Sequence, residues 1–169
     1  MIYSWGGRGF LGMDIFSIKL GKQLCIINIY APNQNRFSFW QPFLENPLIN
    51  NATILGGDLI FSIGHEESWG NHSQLDPISD QLSSLLDQHG LIDVPMEKKM
   101  STWHNKGTGE ASLGRRLDRY LIQEDLLHTL SIYRQWVGLG GISNHSPIDL
   151  EVVGYSRKPG NLSNLTPLG

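Results

Sequence analysis

Asp58, Asp118 and His145 are the side chains of this 169-residue chain best suited to acid–base or metal chemistry, and each stands beside an apolar run. They belong to a set of segments with one property in common: Asn28-Ile29-Tyr30-Ala31-Pro32-Asn33, Leu55-Gly56-Gly57-Asp58, Arg116-Leu117-Asp118-Arg119-Tyr120 and Ser143-Asn144-His145-Ser146-Pro147. Each places polar groups at the end of a strand-like stretch, where a rigid sheet can gather side chains from distant sequence into one cleft. Asp118 lies between apolar neighbours, where an unpaired carboxylate is costly to bury, so a partner is expected and His145 is the candidate. Plainer readings stand beside these. Asp58 after two glycines also suits a turn or cap, His145 a packed strand-end histidine, and Tyr30 a core tyrosine with its hydroxyl at the rim.

The elements that must position these groups are mostly strands. Residues 14–20 alternate polar and apolar, Gly21-Lys22 suits a tight turn, and 24–30 reads as a buried central strand. Further strands are expected at 52–55, 117–122, 130–136 (an edge strand) and 148–153. Helices are expected over 36–44, with Phe37, Trp40 and Leu44 on one stripe, over 78–89, closed by Gly90, and briefly over 124–127. Interspersed strands and helices suggest an α+β domain of two packed β-sheets flanked by helices, over residues 1–155, with a loose tail at 156–169 rich in Gly, Pro, Ser and Asn.

Composition narrows the function classes. With 40% hydrophobic and 17% charged residues the chain reads as a soluble globular protein. It shows no signal peptide and no apolar run long enough for a bilayer, so an intracellular protein with no membrane partner is expected. Cys25 is alone in an apolar run and reads as a buried, inert thiol. A net charge of −3 argues against a strongly basic nucleic-acid binder. Between residues 97 and 119, however, Lys98, Lys99, Lys106, Arg115, Arg116 and Arg119 outnumber Glu97, Glu110 and Asp118. That stretch is either a solvated loop or a phosphate-facing rim.

In order and wording the segments resemble the endonuclease/exonuclease/phosphatase (DNase-I-like) superfamily, and most closely the endonuclease domain of plant LINE-type retroelements. The resemblance rests on Tyr30-Ala31-Pro32-Asn33, Gly56-Gly57-Asp58-Leu59-Ile60, Glu66-Glu67-Ser68-Trp69-Gly70, Thr102-Trp103, Arg116-Leu117-Asp118-Arg119-Tyr120-Leu121 and Ser143-Asn144-His145-Ser146-Pro147. It implies a four-layer sandwich of two sheets between helices and a metal-dependent phosphodiesterase acting on DNA. Asp58 would prepare the attacking water, His145 contact the scissile phosphate, Asp118 orient His145, and Tyr30 offer a hydroxyl. Asp58 and, weakly, Asn144 would face a Mg²⁺ or Mn²⁺ ion, Asn33, Arg115 and Arg116 would face phosphate, and no small-molecule cofactor is implied. The chain also departs from the pattern. Ile60 stands where the family has Asn, and Asn144 where it has Asp. The Asn and metal-binding Glu strands expected before Tyr30 have no counterpart, as if the domain were truncated at its N-terminus. These departures imply a degenerate endonuclease with little or no activity. The alternatives are a non-catalytic nucleic-acid or phosphate-binding module, or a non-functional retroelement remnant.

Overall fold

The computed structural model describes residues 3–70 and 74–155. The elements in chain order are β1 (Tyr3–Gly7), β2 (Phe10–Ser17), β3 (Lys22–Tyr30), α1 (Arg36–Leu44), β4 (Thr53–Asp58), β5 (Ser68–Trp69), α2 (Ser79–Gln88), β6 (Leu91–Asp93), β7 (Trp103–His104), β8 (Gly114–Arg115), β9 (Asp118–Gln123), α3 (Glu124–Leu127), β10 (Leu130–Val137) and β11 (Ile148–Gly154). Six of these strands form one sheet in the order β1-β2-β3-β4-β9-β6, β10 and β11 pair as a second, and β5, β8 and β7 make a small third. In the large sheet only β3 and β4 run parallel.

Alternation along β3 gives the sheet two apolar faces, as the period of a strand requires. Cys25, Ile27 and Ile29 face the side where α1 and α2 bring Trp40, Phe43, Leu82 and Leu86. Leu24 and Ile26 face the other side, with Ile54 of β4 and Ile122 of β9, against Leu130 of β10 and Leu150 and Val152 of β11. The result is the expected α+β arrangement, two packed sheets with helices outside. Cys25 is buried, its thiol directed at the Leu48 carbonyl. No helix among the described residues is long and apolar enough to cross a membrane.

Helix α1 spans the expected 36–44, but its buried residues are Trp40, Phe43 and Leu44, while Phe37 is exposed. The strand expected at 14–20 is displaced. β2 ends at Ser17, where a turn closed by the Gly21 amide on the Ser17 carbonyl at 2.8 Å takes up Ile18 to Leu20. β1 was not legible because the hairpin is glycine-rich. Gly12 lies opposite Trp5, whose ring fills the space a Cβ at 12 would need. The tail expected at 156–169 lies outside the described residues.

Candidate active site

Strand register does the first part of the assembly. Tyr30 of β3 is level with Asp58 of β4, and Asp58 is level with Asp118 of β9, so three chemically capable side chains lie in a row at one end of the sheet. Gly57 makes the sharp exit before Asp58 possible. Its φ is +130°, and a Cβ there would run into the Ile29 carbonyl of β3. His145 comes from the bend ahead of β11 and is anchored by a bridge between its backbone and Trp103 of β7.

His145 Nδ1 lies 3.0 Å from Asp118 Oδ2, the pairing that the apolar flanks of Asp118 required. Its Nε2 is 3.7 Å from Asp58 Oδ2. The ligating atoms of all three residues fall within 4.8 Å of one another, so they could hold a metal ion. Asp58 and Asp118 are buried and His145 is half-buried. Burial first, and then the Asp118 carboxylate, push the Asp58 carboxyl up from 3.8 to about 6, while His145 and the Ile60 amide pull it back. Two carboxylates at one desolvated spot resist being ionised together, and a cation between them removes that conflict. The donor set therefore fits a metal ion on its own electrostatics.

Thr102 ties the cluster together from behind. It is fully buried, and its Oγ1 accepts the amides of Leu117 at 3.0 Å and Asp118 at 2.9 Å. Its carbonyl accepts the Ser146 amide at 2.7 Å, one residue beyond His145. One residue, through its hydroxyl and its carbonyl, thus holds the start of β9 and the histidine loop in fixed relation. Nothing beyond its place in the Thr102-Trp103 pair marked this residue in the sequence.

A cleft of about 680 Å³ opens over the cluster, and Tyr30, Asn33, Arg115, Asn144, Asp58 and His145 all line it. Six of the eight proposed site residues therefore border one space; Asp118 sits behind it, bonded to His145, and Arg116 is turned away. Its guanidinium is buried and bonded to Glu67 at 2.7 Å and to Asp93 at 2.7 and 2.8 Å. Arg119 shares those carboxylates and also donates to the Phe61 carbonyl at 3.0 Å. Arg115 lines the cleft and, unlike Arg116 and Arg119, makes no ion pair among the described residues; its buried Nε, like theirs, has no partner there. Two residues that the sequence left without a role also border the cleft. Arg36 forms a two-pronged pair with Asp76 at 2.6 and 2.8 Å and donates to the Ile60 carbonyl at 2.6 Å. Ile60 itself has φ +56°, an unusual conformation for a β-branched residue.

Comparison with solved structures places this architecture. The endonuclease domain of TRAS1, a telomere-specific non-LTR retrotransposon, superposes with a TM-score of 0.70 at 18% identity, over 94% of this chain and 70% of that one. The fold is DNase-I-like. An AP endonuclease from Archaeoglobus fulgidus gives a TM-score of 0.65 at 13% identity, over 85% of this chain and 65% of that one. The 3′ phosphatase NExo from Neisseria, solved with a product DNA hairpin, gives 0.62 at 16% identity, over 89% of this chain and 70% of that one. These neighbours are endonuclease/exonuclease/phosphatase proteins. No family model matches the chain, and no curated protein matches it.

Proposed function

We propose that the chain is a nuclease-type phosphodiesterase domain acting on DNA, of the kind carried by plant LINE-type retroelements, and that it retains little or no activity. The observation that supports a phosphodiesterase is the convergence of Asp58, Asp118 and His145 at one end of the sheet, beneath a cleft that also carries Arg115 and Tyr30. Hydrolysis of a phosphodiester needs an aligned water, neutralised phosphoryl oxygens and a supported leaving group. Asp58, with its raised carboxyl, is the group to orient and deprotonate the water. Asp118 fixes the His145 ring through Nδ1 and leaves Nε2 facing the cleft, where the doubly protonated ring can donate to a phosphoryl oxygen. The Tyr30 hydroxyl and Arg115 offer further donors along the rim. A Mg²⁺ or Mn²⁺ ion held by Asp58, with Asn144 at its edge, would supply the remaining charge neutralisation.

Impairment follows from two side chains. Ile60 puts an aliphatic group at the cleft wall where an amide would hold water or phosphate. Asn144 offers a neutral amide where a carboxylate would bind a cation and accept a proton. Losing one such donor lowers rates by about 10²–10³. Supercoiled plasmid incubated with Mg²⁺ and the chain tests the reading. The chain as it stands should nick weakly or not at all. The double variant Ile60→Asn, Asn144→Asp should nick more than the chain as it stands, and adding Asp58→Asn should abolish that gain. Strong nicking that survives Asp58→Asn sinks the assignment. The unpartnered Nε of Arg115 favours a second reading, binding without turnover: Arg115→Ala would then weaken salt-sensitive DNA binding, with a salt slope smaller by about one.

A further inference from the structure

A second pocket, of about 700 Å³, lies against the cleft and shares Tyr30 and Asn33 with it. We infer that this pocket is a nucleobase subsite, which receives an unstacked base of single-stranded DNA beside the phosphate held in the cleft. The inference rests on the nuclease-type reading of the cleft and names the form of substrate it takes.

The lining has the two halves that a base requires. Tyr30 is an aromatic residue left 68% exposed, so its ring face is available for a base to stack on. Phe39 supplies a second ring, held from behind by stacking on Phe43 at 5.6 Å with an interplanar angle of 8°. Around these rings stand the amides of Asn33, Gln34 and Asn35, which can donate to and accept from the polar edge of a base. Arg8 adds the cation for a neighbouring phosphate, and none of the lining residues is acidic although the chain is net negative.

The pocket is also preformed. The Tyr30 amide donates to the Gly9 carbonyl at 2.8 Å, pinning the β1–β2 turn to the end of β3. Gly9 has φ +85°, and a Cβ on it would stand 2.8 Å from the Tyr30 carbonyl, so this close approach needs glycine. A base inside a duplex stack cannot lie against Tyr30 and Phe39, which is why the subsite selects single-stranded or frayed DNA.

Fluorescence anisotropy in EDTA, where cleavage cannot interfere, tests this with two labelled probes: a short oligothymidylate and the same backbone with its bases removed. The base-bearing strand should bind about tenfold tighter, the ratio expected of one stacked base. Tyr30→Ala should bring the ratio close to one, Tyr30→Phe should restore it, and Arg8→Ala should weaken both probes together. Equal binding of the two probes, no binding of either, or a ratio indifferent to Tyr30→Ala each overturns the subsite. A chain whose Ile60→Asn, Asn144→Asp variant nicks plasmid but does not distinguish the probes keeps the nuclease reading and loses the subsite. Discrimination without nicking by that variant does the reverse.

Discussion

Asp58→Asn should make the metal-free chain harder to unfold near neutral pH. The Asp58 carboxyl is raised from 3.8 to about 6 because it is buried beside Asp118. A separation of that size corresponds to about 3 kcal/mol between the charged and neutral forms, and solvent screening at a carboxyl on the cleft wall makes about 1–2 kcal/mol the realistic gain. The sign follows from linkage. Between about pH 4 and about pH 6 the folded chain holds a proton on Asp58 that the unfolded chain has released, so stability falls as pH rises through that window. Asparagine does not titrate and keeps an oxygen for the Ile60 amide, which reaches Asp58 Oδ1 at 3.3 Å. The variant should therefore match the parent at about pH 4 and exceed it above about pH 6.5, by about 2–8 °C in melting temperature for a domain of this size. Thermal unfolding in EDTA at both pH values measures this. Mg²⁺ should then stabilise the parent and not the variant, because only the parent keeps the carboxylate. A variant no more stable than the parent above pH 6.5, or already more stable at pH 4, would refute the account of Asp58 as a strained acid.

Four further substitutions, at three positions, separate structure from chemistry. Thr102→Val keeps the shape and removes the acceptor of the Leu117 and Asp118 amides, so urea unfolding should show a loss of about 2 kcal/mol. In the nicking-competent Ile60→Asn, Asn144→Asp background, the same change should reduce cleavage more than binding. Arg119→Met leaves Glu67 and Asp93 sharing one buried guanidinium, and denaturant titration should show about 3 kcal/mol of destabilisation. Ile60→Asn should leave the unfolding midpoint nearly unchanged, because relief of the positive φ, worth about 1 kcal/mol, offsets the lost apolar contact. Ile60→Val keeps the strain and loses a methylene, so it should cost about 1 kcal/mol in the same titration.

The parts of the fold that the sequence made legible are those where side-chain period and burial agree. β3, α2, β9 and β11 carry clean periodicity because each packs on one or two apolar faces. β1 and the start of β2 were missed because Gly6, Gly7, Gly9 and Gly12 dilute the strand signal, and their pairing is set by the hairpin and the Trp5 ring instead. In the site, Asp58, Asp118 and His145 could be named because a polar group at the end of an apolar run needs a reason to be there. Thr102 could not, since its role lies in accepting two backbone amides, which residue type alone does not reveal. Arg36 was equally hidden, its partner Asp76 standing forty residues away.

The basic stretch between residues 97 and 119 shows why charge counting misleads within a folded sheet. Arg116, Asp118 and Arg119 lie within four residues, yet Asp118 closes the row of Tyr30 and Asp58 while both arginines enter a buried cluster with Glu67 and Asp93. Of the six cations in the stretch, Arg116 and Arg119 are internal counter-charge joining the β5–β8 sheet to β6 and β9, while Lys98, Lys99 and Lys106 are exposed. The cations that line the cleft itself are Arg115 and Arg36, the latter paired with Asp76, set against the carboxylates of Asp58 and Asp118. A phosphodiester anion entering such a cleft meets repulsion unless a proton or a cation neutralises the acidic pair. On the nuclease reading, a bound divalent ion therefore strengthens phosphate binding in the cleft near neutral pH without being required for strand binding next to it, and a carboxylate in place of Asn144 would add to that effect.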